Sequence, residues 1–131
     1  MCQVPKNLRY RSSHEWVIKN STGNYTVGIT YHAQELLGDI VFIDLPEIGS
    51  IFNMGEECAI IESVKAATSV YTPISGKIIT VNNMLIEKPE LINSSPYTMG
   101  WLLKLQASNE SELDILLDAN DYQLLTNPSK T

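Results

Sequence analysis

Runs of β-branched and aromatic residues recur along this chain in pieces of four or five, each closed within a few positions by Gly, Pro, Asn or Ser. They are Trp16-Val17-Ile18-Lys19, Tyr25-Thr26-Val27-Gly28-Ile29, Ile40-Val41-Phe42-Ile43, Cys58-Ala59-Ile60-Ile61, Lys77-Ile78-Ile79-Thr80-Val81 and Trp101-Leu102-Leu103-Lys104-Leu105. Side chains branched at Cβ and flat rings pack well on a pleated surface, and segments this short between turn formers have the length of strands in small sandwiches and barrels. The body of the fold is therefore expected to be β. Asn20-Ser21-Thr22-Gly23-Asn24 lies between the first two runs and supplies residues that tolerate positive φ, which predicts a hairpin joining them.

Two stretches change period. Thr30 can cap a short helix over Tyr31 to Leu37, with Ala33, Leu36 and Leu37 on one face and Gly38 as the terminating residue. Near the end, Asn109-x-x-Glu112 has the form of a capping box, Leu113, Leu116 and Leu117 follow at helical spacing, and Asp118 can cap a further turn carrying Tyr122 and Leu125. Both are expected to be amphipathic covers over a β core, and the Asn127–Thr131 tail to be frayed. One pattern, P-x-x-G-x-I, occurs twice, at Pro46–Ile51 and at Pro73–Ile78, 27 positions apart, each time as a turn leading toward a β run.

At 131 residues the chain has the size of one domain, able to bury a core without disulfide staples, and a single domain is expected over 1–131 with its core at about 8–125. No run approaches the roughly 18–20 apolar residues of a membrane span, and Met1–Lys6 has neither a signal-peptide h-region nor an Arg-rich amphipathic look. This predicts a soluble protein of a bacterial cytoplasm, or a processed mitochondrial chain. Fifteen acids against nine bases disfavour binding to nucleic acid or an anionic membrane. Cys2 and Cys58 lack the spacing of a zinc knuckle or redox pair, and neither His14 nor His32 has a set of further ligands near it, so no metal is expected. Cys58, inside an apolar run, reads as a buried inert thiol, the histidines as structural or surface residues, and Trp16 and Trp101 as core or rim anchors.

The distribution of charge is more informative than its sum. From Asn20 to Gly76 there is one Lys or Arg, Lys65, and seven acids precede it within that stretch. One cation among carboxylates is commonly a solvated ion partner. A second reading comes from its neighbours. An apolar run leads into Glu62-Ser63, another β-compatible run leaves from Thr68, and Val64-Lys65-Ala66-Ala67 falls where the chain must reverse, placing Lys65 at a hairpin tip. Ser63, Ala66 and Ala67 are small and leave the ammonium open to a modifying enzyme. A lysine so presented suits acylation by a carrier cofactor, whose reactive head is then tethered to a rigid base at high effective concentration.

Six blocks, in order, carry a resemblance to a known family: His14-Glu15-Trp16-Val17, Val27-Gly28-Ile29-Thr30, Ala33 to Phe42, Asp44-Leu45-Pro46, Glu62-Ser63-Val64-Lys65-Ala66 and Pro96-Tyr97-x-x-Gly100-Trp101. From about Leu8 to Leu125 the chain resembles the H proteins of the glycine cleavage system. The resemblance implies a flattened barrel-sandwich hybrid of the lipoyl/biotinyl type with short capping helices, including a C-terminal one. It also implies lipoic acid in amide linkage to Lys65. Such carriers do not catalyse. They shuttle an aminomethyl group from the pyridoxal-phosphate glycine decarboxylase (P protein) to the aminomethyltransferase (T protein). The dihydrolipoyl dehydrogenase (L protein) reoxidises the arm, and a lipoyl- or octanoyl-transferring enzyme installs it.

In that family the loaded arm folds into a surface cleft near the start of the chain, and the matching positions here are Ser13 and Glu15. A carboxylate facing a protonated amine is a sensible counter-charge; the alternative is that Glu15 is a solvated strand residue. The chain departs from the family at Ser69, where many members carry Asp, so that the cleft would depend more on Glu15. Two further carriers stay open: a lipoyl relay serving other lipoate-dependent enzymes, toward which the missing acid leans slightly, and a biotin carrier, disfavoured because Val64 and Ala66 rather than methionines flank Lys65. An enzyme built on Cys58 or a histidine lacks a set of nucleophile, base and orienter. Acylation of Lys65 would take the formal charge from −6 toward −7.

Overall fold

The computed structural model describes residues 4–126. Within them lie strands β1 (Arg9–Tyr10), β2 (Glu15–Lys19), β3 (Tyr25–Ile29), β4 (Ile40–Asp44), β5 (Ile51–Phe52), β6 (Glu57–Ser63), β7 (Ala67–Tyr71), β8 (Gly76–Val81) and β9 (Leu103–Ala107). Four short helices, α1 (Tyr31–Leu37), α2 (Met84–Glu87), α3 (Leu91–Ser94) and α4 (Ala119–Thr126), and a 3₁₀ turn over Glu110–Ile115 cover them. The strands form two antiparallel sheets, one in the order β1-β2-β3-β9-β8-β5 and one in the order β4-β6-β7. This is the mainly β sandwich expected of the sequence. The expectation for Asn127–Thr131 lies outside the described residues.

Facing sides of the two sheets make the core. Val17, Val27, Ile78, Leu103 and Leu105 of the larger sheet pack in one cluster with Ile43, Ile61 and Val70 of the smaller, and Leu85 and Ile92 of the short helices close it. A second cluster lies on the outer side of β1 and β2, where Tyr10 and Tyr122 stack at 4.6 Å beside Leu8, Trp16 and Ala119. The two are related by alternation along β2, which sends Val17 inward and Trp16 outward.

The outward position opposite Trp16 in the β2–β3 register is Gly28. A Cβ there would stand 2.5 Å from the indole ring, so the ring lies flat on bare backbone. The indole Nε1 donates to the carbonyls of Ile29 at 2.9 Å and Pro96 at 3.0 Å, which satisfies its polar atom inside a buried contact.

Both copies of P-x-x-G-x-I are used, and they meet. β5 follows the first and β8 the second; the two strands pair with Ile51 opposite Lys77, and the turns exchange bonds from Gly49 N to Ile78 O and Ile78 N to Ser50 O, both 2.8 Å. Gly49 is needed for its φ of +96°, whereas a Cβ on Gly76 would lie 2.4 Å from the Gln106 carbonyl oxygen.

Some details differ from expectation. On α1 the Thr30 cap forms, accepting from Ala33 N at 3.1 Å, yet Leu36 is 60% exposed and Gln34 is buried. Gln34 is stable there because Asn93 of α3 donates to its Oε1 at 3.0 Å, satisfying the buried amide. Asn109 does cap the 3₁₀ turn, through Ser111 N, but Glu112 does not return to it; its carboxylate accepts from Ser75 N at 2.7 Å and Ser75 Oγ at 2.8 Å. Asp118 caps α4 through Asp121 N at 2.8 Å and Tyr122 is buried, but Leu125 is exposed. The last run starts as a strand at Leu103 rather than Trp101, because the preceding turn persists through a bond from Trp101 N to Thr98 O.

Replacing Gly28 by Ala forces the Trp16 ring off its seat and is expected to lower the unfolding free energy by about 1–3 kcal/mol. Urea unfolding followed by tryptophan fluorescence measures this, and an unchanged midpoint would mean the ring can shift without cost.

Candidate functional site

β6 and β7 form the hairpin anticipated around Lys65. Its turn is held from within by Ser63, whose N donates to Ala66 O at 2.9 Å and whose Oγ accepts from Lys65 N at 3.1 Å and Ala66 N at 3.2 Å. A serine folding back on the next backbone amides is a local turn device that needs no other part of the protein. The tip is then docked to the rest of the chain by Val64 N, which donates to Asp39 O at 3.0 Å.

Lys65 is exposed at this tip. Its stem runs past Gly38: a Cβ at that glycine would lie 3.4 Å from Lys65 Cε and 3.9 Å from Nζ. Gly38 also has a φ of +76° at the end of α1, so the residue that ends the helix lies beside the lysine stem. Among the described residues the ion pair present is Lys19–Glu110 at 3.2 Å, and Lys65 makes none. The amine is thus uncommitted despite its acidic surroundings, which weighs against the ion-partner reading.

α1 runs from the lysine to a cleft of about 170 Å³. Ala33, Leu36 and Leu37 of α1, with Ile61 and Val70 of the hairpin, give it apolar walls, and Ser13, His14, Glu15 and Ser69 supply its polar atoms. The exposure of Leu36 on the helix is the cost of lining this cleft. A larger and more open depression of about 300 Å³, edged by Asp44, Glu47 and Glu57, lies toward the Asp44–Ile60 end of the β4–β6 pair, away from the tip, where Ile40 pairs with Ser63. The smaller cleft is the better site because it joins apolar walls to a buried carboxylate beside the lysine hairpin.

That carboxylate is Glu15, 2% exposed. It is therefore not a solvated strand residue. Ser13 Oγ donates to its Oε1, Arg11 Nη1 donates in turn to Ser13 Oγ, and the Tyr71 amide donates to Oε2 at 2.9 Å. Burial pushes the Glu15 carboxyl up to about 7, against the pull of the Ser13 and Tyr71 hydrogen bonds and the Arg11 charge. Ser13 and Glu15 are thus brought together in one cleft, on the side of the molecule reached by the Lys65 hairpin.

Ser69 also lines the cleft, but its hydroxyl is taken up by Glu57, to which it donates at 2.5 Å. The position without an acid of its own therefore has a carboxylate beside it. His14 has a φ of +79°, bonds Tyr122 Oη through Nδ1 at 2.7 Å and faces His32 at 4.8 Å between ring centroids; burial and His32 both lower its pKa. It is a structural residue on the cleft rim. Cys58 is buried, and burial with the charges of Glu15 and Glu57 pushes its thiol up to about 12, which fits an inert thiol. Arg11 and Tyr71 carried no motif in the sequence; what could have flagged Arg11 is a base two positions before the Ser-x-Glu pair.

Residues 8–129 match the family described as Glycine cleavage H-protein. The chain belongs to that family. It is 57% identical over 125 residues to the glycine cleavage system H protein of Salmonella arizonae, a match spanning 95% of this chain and 97% of the relative. The H protein of Escherichia coli O9:H4 is 56% identical over the same length. Among solved structures, the H protein of Mycobacterium marinum superposes with a TM-score of 0.82 at 36% identity, covering 92% of this chain and 96% of that one. H proteins are the lipoyl carriers of the glycine cleavage system and hold lipoic acid covalently on a lysine.

The buried acid has a consequence for stability. The Glu15 carboxyl titrates near 4.5 when unperturbed and at about 7 in the fold. The folded protein therefore holds that proton more tightly, so the Glu15 contribution to stability is highest below about 4.5 and falls as pH rises through about 7. Glu15→Gln carries no charge and escapes the loss. Its stability relative to the parent is expected to be greater near pH 8 than near pH 4, by on the order of 3 kcal/mol. Urea midpoints at both pH values measure this, and an equal difference at both would return Glu15 to an ordinary carboxyl.

Proposed function

We propose that Lys65 is the lipoyl-bearing lysine of this H protein and that Ser13 and Glu15 form the seat of its loaded arm. The observation that carries the reading is the uncommitted Lys65 amine at a tied hairpin tip, next to the helix that walls the cleft. The residues present fit the group: an exposed primary amine to acylate, apolar walls for a hydrocarbon chain, and a buried acid for an amine. When bound, lipoic acid supplies the dithiolane sulfur on which the one-carbon amine of glycine travels.

This chain's own residues do the rest. Ser63 and Asp39 hold the base of the arm still. Gly38, at the end of α1, lies beside the Lys65 stem. Ala33, Leu36, Leu37, Ile61 and Val70 exclude water from the cleft, and ionised Glu15 faces a protonated amine in surroundings where charge attraction is strong. The protein acts without a catalytic residue of its own, as one carrier domain over about 8–125, in the bacterial cytoplasm. Its partners there are the P, T and L proteins and a lipoyl- or octanoyl-transferring enzyme, and its acidic surface suits docking to basic patches.

Intact mass of protein purified from its host is expected to show a lipoyl-sized increment that maps to Lys65 and is lost in Lys65→Arg. An increment elsewhere, or a biotin-sized one, overturns the assignment. Lipoylated protein incubated with decarboxylase and labelled glycine is expected to take up label. Loss of label should be roughly ten- to a hundredfold faster in Glu15→Gln, since a charge-assisted hydrogen bond contributes roughly 1.5–3 kcal/mol. An unchanged half-life removes Glu15 from the seat, and a lipoylated chain that takes up no label would instead be a lipoyl relay.

A further inference from the structure

We propose that Arg11 is a positioning residue for the cleft: through Ser13 it favours the charged form of Glu15 against the cost of burial and holds the carboxyl in one orientation, ready for an arriving amine. The proposal rests on the reading of Glu15 as the counter-charge of the arm, and the geometry fixes its direction. A guanidinium can donate hydrogen bonds but cannot accept them. Arg11 Nη1 contacts Ser13 Oγ, so the serine oxygen must be the acceptor there, and its single O–H is left to donate to Glu15 Oε1. The second carboxyl oxygen meets another donor, the Tyr71 amide, at 2.9 Å. Both carboxyl oxygens therefore accept a hydrogen bond from the protein. Each of these donors bonds the charged carboxylate more strongly than the neutral acid.

Arg11 is itself held. Its guanidinium carbon sits 5.4 Å from the centroid of the Tyr71 ring, and a Cβ at Gly55 would come within 3.1 Å of Nη2, so the turn before β6 passes close beside the same group. The backbone closes the same loop, with Arg11 N donating to Glu15 O at 2.9 Å and His14 N to Arg11 O at 2.9 Å. The other groups around Glu15 do not replace this charge. β6 contributes the Cys58 thiol, whose ionisation burial and the charges of Glu15 and Glu57 oppose; β7 contributes the Tyr71 amide; α1 turns only Ala33, Leu36 and Leu37 into the cleft. His14, in the same turn, is bonded to Tyr122 and faces His32.

The test is a ¹³C NMR titration of the Glu15 side-chain carboxyl, assigned by its loss in Glu15→Gln, in the full chain without cargo. Arg11→Gln is expected to raise the midpoint by about one pH unit, a roughly tenfold change in the ratio of charged to neutral Glu15, and Arg11→Lys to recover part of it. A midpoint within about 0.3 pH unit of the parent in folded Arg11→Gln overturns the proposal. Should Arg11→Gln fail to fold, Ser13→Ala cuts the same link with a smaller change, and an unmoved midpoint there overturns it equally. Because the titration is read without lipoic acid, failure of Arg11 to act is distinct from failure of Glu15 to retain cargo.

Discussion

Among the described residues Glu15 is the one charged side chain that is buried, and the two sheets are tied to each other through it. It stands at the start of β2 in the larger sheet, yet one of its oxygens is bonded to the backbone of β7 in the smaller. A buried carboxylate is tolerated only where donors replace its water, and the donors here come from different parts of the chain. The hairpin that carries Lys65 is therefore in register with the β1–β2 turn through a polar contact, where apolar packing alone would allow the sheets to slide. Strand alternation uses the next two residues for the two clusters, Trp16 outward and Val17 inward. Three consecutive side chains of β2 thus serve a site, an outer cluster and the main core.

The repeated turn shows how one short pattern can serve unlike ends. In both copies a glycine precedes a β residue, but the first is selected by a left-handed backbone and the second by the closeness of the Gln106 carbonyl. Their pairing closes the edge of the larger sheet. Glu112 then fastens the second turn from outside, by accepting from both Ser75 N and Ser75 Oγ. Its failure to form a capping box is explained by this alternative, which satisfies two donors of a partly buried loop.

The central strands and the lysine hairpin were legible in the sequence because their signals are local: branched residues between turn formers, and small residues around a lone cation. β1 and β5 were not, since two residues leave no period to read. The burial of Gln34 was not legible for a different reason. Helical spacing names the apolar face, but the partner that makes Gln34 buriable is Asn93, 59 positions away. The cleft was partly legible. The family resemblance points to Ser13 and Glu15, whereas Arg11, the Tyr71 amide and the Glu57 contact to Ser69 exist only once three strands and a turn have come together.

The bonds that tie the Lys65 turn to Ser63 and to Asp39 restrain the backbone at the proposed attachment point. All reach must then come from the lysine stem and whatever is joined to it, so the accessible volume is a dome centred on a fixed pivot. An active site is served only if its mouth falls inside that dome, and each enzyme in the cycle must therefore grip the carrier in an orientation that brings its own catalytic centre there. The rigidity of one four-residue turn sets the docking geometry that several unrelated enzymes must share.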